Sequence, residues 1–214
     1  MTEIAKRFCT SLFLLGLIYL AVINIYILLI SLFIIFIQII VEFNNLLKKI
    51  FFKKKLIIYS SLILIQIYTL FLLSNIFIII NGNNVEYRTF LLIIFLICIL
   101  TDIGGYIFGK IFKGKKLTKI SPNKTYSGMI GSYILSLFVV YILFKNYLGT
   151  RELLFFIFII SSISQAGDIF ISMLKRKAKL KDTGKLLPGH GGILDRIDGL
   201  YFAIPLGLLF INKL

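Results

Sequence analysis

Two aspartates three residues apart, Asp195 and Asp198, end a polar segment at residues 181–198 of an otherwise apolar chain. If the stretch ILDRID begins a helix, both carboxylates share one face of it, about 5 to 6 Å apart. This arrangement suits Mg²⁺, which takes one or two carboxylates together with substrate phosphates and water. The spacing is common on ordinary helices, so the neighbouring residues decide whether it indicates a metal-assisted reaction.

Glycines surround the only histidine of the chain just before this pair. The run Pro-Gly-His-Gly-Gly at residues 188–192 predicts a turn that leads into a helix, with backbone N–H groups free to bind phosphate. His190 has two interpretations, a structural hydrogen-bond donor or a group that orients a ligand. The lysines and arginines from Lys175 to Arg196 would supply positive charge for phosphates.

The rest of the chain is too apolar for a soluble domain. Of 214 residues, 59% are hydrophobic and 15% charged, and the mean hydropathy is +0.98, whereas soluble domains average about 25% charged residues. The composition predicts an all-α polytopic membrane helix bundle, with residues 1–214 as one integral membrane domain. Cys9 and Cys98 lie in apolar runs, so we expect packing residues and no disulfide.

Positive charge is clustered at residues 48–55, 110–124 and 175–196, and the net charge is +15. The positive-inside rule places these clusters and the N-terminus in the cytoplasm, so an even number of spans separates neighbouring clusters. We expect about seven spans (six to eight), with the C-terminus outside, in the inner membrane of the cell. The spans form an N-terminal hairpin within about 8–42, broken near Asn24, and then 56–80, 89–108, 129–144, 153–173 and 199–211. The catalytic half would be about 89–214.

The nine acidic residues separate into two groups. The glutamates fall at predicted membrane boundaries, where solvated or interfacial charge accounts for them: Glu3, Glu42, Glu86 and Glu152. Asp102 and Asp168 each end an apolar run, where a carboxylate usually faces a partner or an aqueous cavity. A transporter could use both as ion sites, but its acidic path would continue through the outer half of the bundle. Every aspartate lies toward the predicted cytoplasmic side, which favours an enzyme open to a soluble nucleotide.

The segment from Ser172 to Asp198, SMLKRKAKLKDTGKLLPGHGGILDRID, closely resembles the signature of the phosphatidate cytidylyltransferases, also called CDP-diacylglycerol synthases. Residues 102–110, DIGGYIFGK, and 121–128, SPNKTYSG, are similar to two further motifs of that family. Gly105 stands where the family usually has Ala, and Ser127 where it usually has Glu. The pair Gly167-Asp168 matches the Gly-Asp that precedes the signature.

The resemblance implies a reaction in phospholipid biosynthesis: CTP and phosphatidate give CDP-diacylglycerol and pyrophosphate at the cytoplasmic face. It implies Mg²⁺ held by Asp168, Asp195 and Asp198, with a second metal ion left open. The implied catalytic residues are Asp195, Asp198, Lys175, Arg176, Arg196 and His190. The implied substrate-binding residues are Ser121, Lys124, Thr125, Ser172, Lys181, Asp182, Gly191 and Gly192.

Two alternatives remain beside this reaction. A CTP-dependent lipid kinase would bind the same nucleotide and transfer its γ-phosphoryl group, and an inactive relative is hinted at by Ser127 alone. The expected partners are CTP, phosphatidate and membrane lipid, but not nucleic acid, because an anionic lipid surface accounts for the basic clusters. A homodimer is compatible with the sequence.

Overall fold

The computed structural model describes residues 3–118, 121, 124–147, 149–187 and 191–211, with side chains from residue 9 onward. These residues form seven α-helices and no strand, which confirms the predicted all-α class. The helices are α1 Glu3–Ile23, α2 Ile25–Ile50, α3 Lys55–Asn81, α4 Val85–Phe112, α5 Tyr126–Phe144, α6 Thr150–Lys177 and α7 Leu194–Ile211.

Each predicted apolar segment is a helix, and the protein is a membrane protein. The five helices α2 to α6 are long and apolar enough to cross a membrane. The described apolar part of α1, Cys9–Ile23, is shorter. α7 begins with three charged side chains, Asp195, Arg196 and Asp198, ahead of its apolar part.

Asparagines start two of the helices, one of them at the predicted break in the first apolar run. The Asn24 side chain accepts hydrogen bonds from the N–H groups of Tyr26 and Ile27 at the start of α2. Asn84 does the same for Glu86 and Tyr87 at the start of α4. An asparagine cap satisfies helix N–H groups that have no intrahelical acceptor. The polar residues therefore define where these two helices begin.

The chain divides into two compact units at three points, which lie between α3 and α4, within α6 and within α7. The first unit comprises Met1–Asn83 and Leu174–Ile197. In it α1 packs on α2, and α2 packs on α3. One stripe of α2, at the i, i+3, i+4, i+7 spacing of a helix face, is buried: Ile39, Glu42, Phe43 and Leu46. A carboxylate thus belongs to the core of this unit.

The second unit comprises Asn84–Met173 and Asp198–Leu214. Its helices α4 and α5 pack so closely that a Cβ on Gly104 would lie only 2.7 Å from the carbonyl oxygen of Gly131. Polar bonds cross the same interior. The Ser132 hydroxyl donates to the Thr101 carbonyl at 2.6 Å, and the Thr101 hydroxyl lies 2.9 Å from that of Ser161. These three buried hydroxyls have partners, as a low-dielectric interior requires.

Candidate active site

Asp195 is the centre of a hydrogen-bond network in the first unit. Its Oδ1 accepts a bond of 2.7 Å from the ammonium of Lys175, in the last turn of α6. Its Oδ2 accepts from the N–H of Thr183 at 2.8 Å and from the N–H of Gly192 at 3.0 Å, and the Thr183 hydroxyl lies 3.0 Å from it. The Asp195 side chain is 3% exposed. Lys175, which lies 20 residues before Asp195, therefore meets Gly192 and Asp195 of the same signature.

This environment determines the charge state of Asp195. Burial alone would raise the pKa of its carboxyl, but the bond from Lys175 and the N–H bonds of Gly192 and Thr183 together lower the pKa below its ordinary value. As predicted, ILDRID begins a helix, since α7 starts at Leu194. An ionised carboxylate in the first turn of a helix also faces the positive end of the helix dipole. Asp195 is an anion that the fold itself neutralises.

Glu42 differs most from its sequence interpretation. Predicted as an interfacial or solvated charge, it is 1% exposed. Its Oε1 accepts bonds from the Gln38 amide and the Ile193 N–H, and its Oε2 from the Thr183 hydroxyl and the Leu194 N–H. The prediction was wrong because α2 continues to Ile50, so Glu42 lies within the helix and not at its end. Its place in an apolar stripe at helical spacing was the signal that could have found it.

The loop before α7 also differs from the predicted phosphate cradle. The N–H of Gly191 donates to the Leu187 carbonyl, and the next three N–H groups donate to Asp195 or Glu42. In this structure the protein's own carboxylates take the place expected for phosphate. Gly191, at φ 85°, has a conformation that favours glycine, and a Cβ there would lie 2.8 Å from Asp195 Oδ2. The glycines let the loop close around these carboxylates.

A second cluster lies in the other unit, around Asp168 of α6. Its Oδ2 forms an ion pair with the ammonium of Lys124, and its Oδ1 accepts a long bond of 3.4 Å from the Ser172 hydroxyl. The side chains of Lys124 and Asp168 are 22% and 29% exposed. The structure thus joins a predicted phosphate ligand to a predicted metal ligand. This pair is more open to solvent than Asp195 and Lys175.

The residues around Lys124 form a turn that leads into α5. The hydroxyl of Thr125 caps this helix by accepting from the Gly128 N–H at 3.1 Å. Ser121 accepts from the Lys124 N–H through its carbonyl. The Ser127 hydroxyl, at the position where the family usually has Glu, accepts from the Gly114 N–H at 3.2 Å and lies 3.0 Å from the Thr125 hydroxyl. Ser127 therefore has a local role in holding this turn.

The remaining predicted site residues have less defined surroundings. Lys181, Asp182 and Arg196 are exposed, and so is Arg176, whose guanidinium donates to the Leu180 carbonyl at 3.4 Å. Asp198 belongs to the second unit, where its Oδ1 accepts from the adjacent Gly199 N–H. His190 lies outside the described residues. Their assignments stay predictions.

The aspartates suit a Mg²⁺ ion that arrives with a nucleotide better than a metal enclosed by protein. Among the residues that the structure describes, no three His, Cys, Asp or Glu side chains form a group that could hold a metal ion. Two N–H groups donate to Oδ2 of Asp195, whereas Oδ1, bonded to Lys175, keeps a second lone pair. Mg²⁺ needs only one or two protein carboxylates when phosphates complete its shell. The residues therefore fit this cation.

Comparison with known proteins identifies the family of the chain. Phosphatidate cytidylyltransferases from Staphylococcus saprophyticus and Staphylococcus aureus are each 45% identical to the chain, over 121 and 122 residues, which cover 55% of it and 46% of each relative. The enzyme of Rickettsia felis is 40% identical over 135 residues, 58% of this chain and 59% of its own. The chain spans about half the length of the curated relatives it matches. Since the cytidylyltransferase family model matches residues 1–214, this chain belongs to the cytidylyltransferase family.

Proposed function

We propose that this protein is a phosphatidate cytidylyltransferase, which makes CDP-diacylglycerol from CTP and phosphatidate in phospholipid biosynthesis. The observation that carries the proposal is the network around Asp195. It joins Lys175, Thr183 and Gly192, three parts of the polar segment that resembles the family signature. The names of the relatives from Staphylococcus and Rickettsia support the same reaction.

The reaction requires positioning and charge neutralisation and no covalent nucleophile from the protein. A phosphate oxygen of phosphatidate attacks the α-phosphorus of CTP. A new P–O bond forms, the bond between the α-phosphorus and the bridging oxygen breaks, and pyrophosphate leaves. Negative charge from two substrates must then be held close together, which fixed cations achieve in a site shielded from water. Lys175, Arg176, Lys181 and Arg196 are the cations we assign to these phosphates.

Asp168, Asp195 and Asp198 are the proposed ligands of Mg²⁺. The ion, when bound, neutralises the triphosphate and helps pyrophosphate to depart. Asp195 holds the ammonium of Lys175 in place, and Asp168 does the same for Lys124. A phosphate could draw Lys124 away from Asp168 at modest cost, since both side chains are partly exposed. That exchange would free Asp168 to bind the cation.

The remaining assigned residues bind or orient the substrates. Ser121, Lys124, Thr125 and Ser172 are assigned to the phosphates near Asp168, and Gly191 and Gly192 to close approach of the ligand. Asp182 and His190 are assigned to orienting the ligand or its basic partners. The site would open to the cytoplasmic side of the inner membrane, because the basic clusters that contain these residues favour that side.

The decisive test uses purified protein with Mg²⁺, phosphatidate and CTP labelled on the α-phosphate. We expect label in the lipid phase and release of unlabelled pyrophosphate. A parallel reaction with γ-labelled CTP should leave the lipid phase unlabelled. Label from the γ-phosphate in lipid, with none from the α-phosphate, would replace this proposal by a lipid kinase. A folded protein that binds CTP and labels lipid from neither position would also contradict it.

A further inference from the structure

Glu42 is a buried acidic side chain in α2, and none of the roles assigned above includes it. Four donors surround it: the Gln38 amide at 3.0 Å, the Ile193 N–H at 2.9 Å, the Leu194 N–H at 3.0 Å and the Thr183 hydroxyl at 2.5 Å. Gln38 is one turn away, but the other partners lie 141 to 152 residues further along the chain. Glu42 therefore connects α2 to the segment that resembles the family signature.

The surroundings of Glu42 require a carboxylate. Each of its two oxygens accepts from two donors, one of which is a backbone N–H, so an amide at this position would turn its NH₂ group against the N–H of Ile193 in one orientation and that of Leu194 in the other. A donor that faces donors in a buried place loses bonds and stays unsatisfied. Space is equally restricted, because a Cβ on Gly192 would lie 2.4 Å from Oε2 and one on Gly184 would lie 2.8 Å from Oε1.

Thr183 links Glu42 to Asp195. Its hydroxyl, on a residue only 3% exposed, lies within hydrogen-bond distance of both Glu42 Oε2 and Asp195 Oδ2. Its N–H donates to the same Asp195 oxygen. On the far side, Asp195 Oδ1 holds the Lys175 ammonium. The contacts therefore run from α2 through Thr183 and Asp195 to a cation of the proposed site.

We propose that Glu42 is a positioning residue of the reaction. It holds the start of α7 through the N–H groups of Ile193 and Leu194, and it orients Asp195 and Lys175 through Thr183. Glu42 therefore supports the groups assigned to the phosphates and does not itself bind the phosphates. The kinetic part of this inference rests on the proposed function, whereas the structural part can be tested without any turnover.

The structural part is tested by amide hydrogen exchange of Ile193 and Leu194 in the full-length protein. In Glu42→Gln at least one of these amides should exchange at least about tenfold faster, since the NH₂ group of the new side chain faces the N–H of Ile193 or that of Leu194, while α3 stays unchanged. Thr69→Val is the control, because Thr69 is a fully buried threonine of the same unit whose hydroxyl donates to the carbonyl of Ile65. Unchanged exchange in a folded Glu42→Gln protein would overturn the proposal.

The kinetic part compares two substitutions of one residue. Thr183→Val removes the hydroxyl and should lower kcat by about tenfold or more, with KM for CTP changed less than about twofold. Thr183→Ser keeps the hydroxyl and should recover most of kcat, whereas Thr69→Val should retain wild-type kcat. Equal losses in Thr183→Val and Thr69→Val would mean a general packing defect and would overturn the proposal. If wild-type protein forms no CDP-lipid, the proposed function fails, and the exchange measurement alone decides the role of Glu42.

Discussion

Two lysine–aspartate pairs belong to the proposed site. They differ in how deeply they are buried and in how many further hydrogen bonds hold the aspartate. Lys175 and Asp195 in the first unit have side chains 13% and 3% exposed, and Asp195 accepts two further bonds, from the N–H groups of Thr183 and Gly192. Lys124 and Asp168 in the second unit are 22% and 29% exposed. The fold holds the first pair more firmly, whereas the second pair is more open to a ligand.

Because of this difference in burial, we expect the two chemically identical pairs to have different roles. A partly exposed ion pair contributes only about 0 to 1 kcal/mol, so a ligand can separate it easily. Removing one partner of a buried pair costs about 3 to 5 kcal/mol, because a charge is left without compensation. We therefore infer that Asp168 and Lys124 exchange partners during the reaction, while Asp195 and Lys175 stay together.

The largest expected effect is the loss of activity in Asp168→Asn. The substitution removes a charge proposed to face Mg²⁺ and the substrate phosphates, which should lower kcat by about 10² to 10³-fold. Stability should fall by less than about 1 kcal/mol, since the pair is partly exposed. The label-transfer assay and thermal unfolding in detergent measure the two quantities. Glu152→Gln, an exposed site at the other end of α6, is the control, and full activity in Asp168→Asn would remove Asp168 from the site.

Asp195→Asn should lose stability as well as activity. Either orientation of the new amide places an NH₂ group against donors, the Lys175 ammonium on one side or Thr183 and Gly192 on the other. We expect a loss of about 3 kcal/mol in the free energy of unfolding, measured in denaturant within a fixed detergent. Equal stabilities for the Asp195→Asn and Asp168→Asn proteins would erase the proposed contrast between the pairs.

Alanine substitutions at two glycines test how closely the residues around Asp195 and Glu42 are packed. In Gly192→Ala the new Cβ would lie 2.3 Å from the Thr183 hydroxyl and 2.4 Å from Glu42, so the free energy of unfolding should fall by about 1 to 3 kcal/mol. Gly16→Ala is the matched control, since nothing lies within 4 Å of a Cβ there. Thermal unfolding of both proteins gives the answer, and a neutral Gly192→Ala would mean that this loop is loosely held.

The helices could be predicted from sequence because their signals are local. Apolar runs set the spans, and Asn24 and Asn84 begin helices with bonds to residues two and three positions ahead. The resemblance to a signature likewise identified Lys175, Asp168 and Asp195, but not which lysine pairs with which aspartate. Such pairing depends on tertiary packing, which neither periodicity nor spacing encodes.

Glu42 shows the same limit more sharply. Its partners Thr183 and Leu194 lie 141 and 152 residues away, so no local pattern connects them. The free N–H groups predicted before α7 were misjudged for that reason, because their acceptors include a carboxylate from α2. A charge in an apolar helical stripe is a local indication of burial. It does not indicate the partner.

The smallest expected effect is a change in stability at acid pH, and it tests the carboxylate of Asp195 by itself. Its pKa in the folded protein lies below the unfolded value of about 3.9. The unfolded state therefore binds more protons near that pH, so the contribution of Asp195 is complete above about pH 5 and is lost as pH falls through the folded pKa. The stability difference between wild type and Asp195→Asn should be constant above about pH 5 and shrink below pH 4. Thr69→Val, which changes no titratable group, should differ from wild type by the same amount throughout. A stability difference for Asp195→Asn that is also independent of pH would mean that the Asp195 carboxylate gains no stability from Lys175 and the surrounding N–H groups. The fold would then hold the first pair no more firmly than the second.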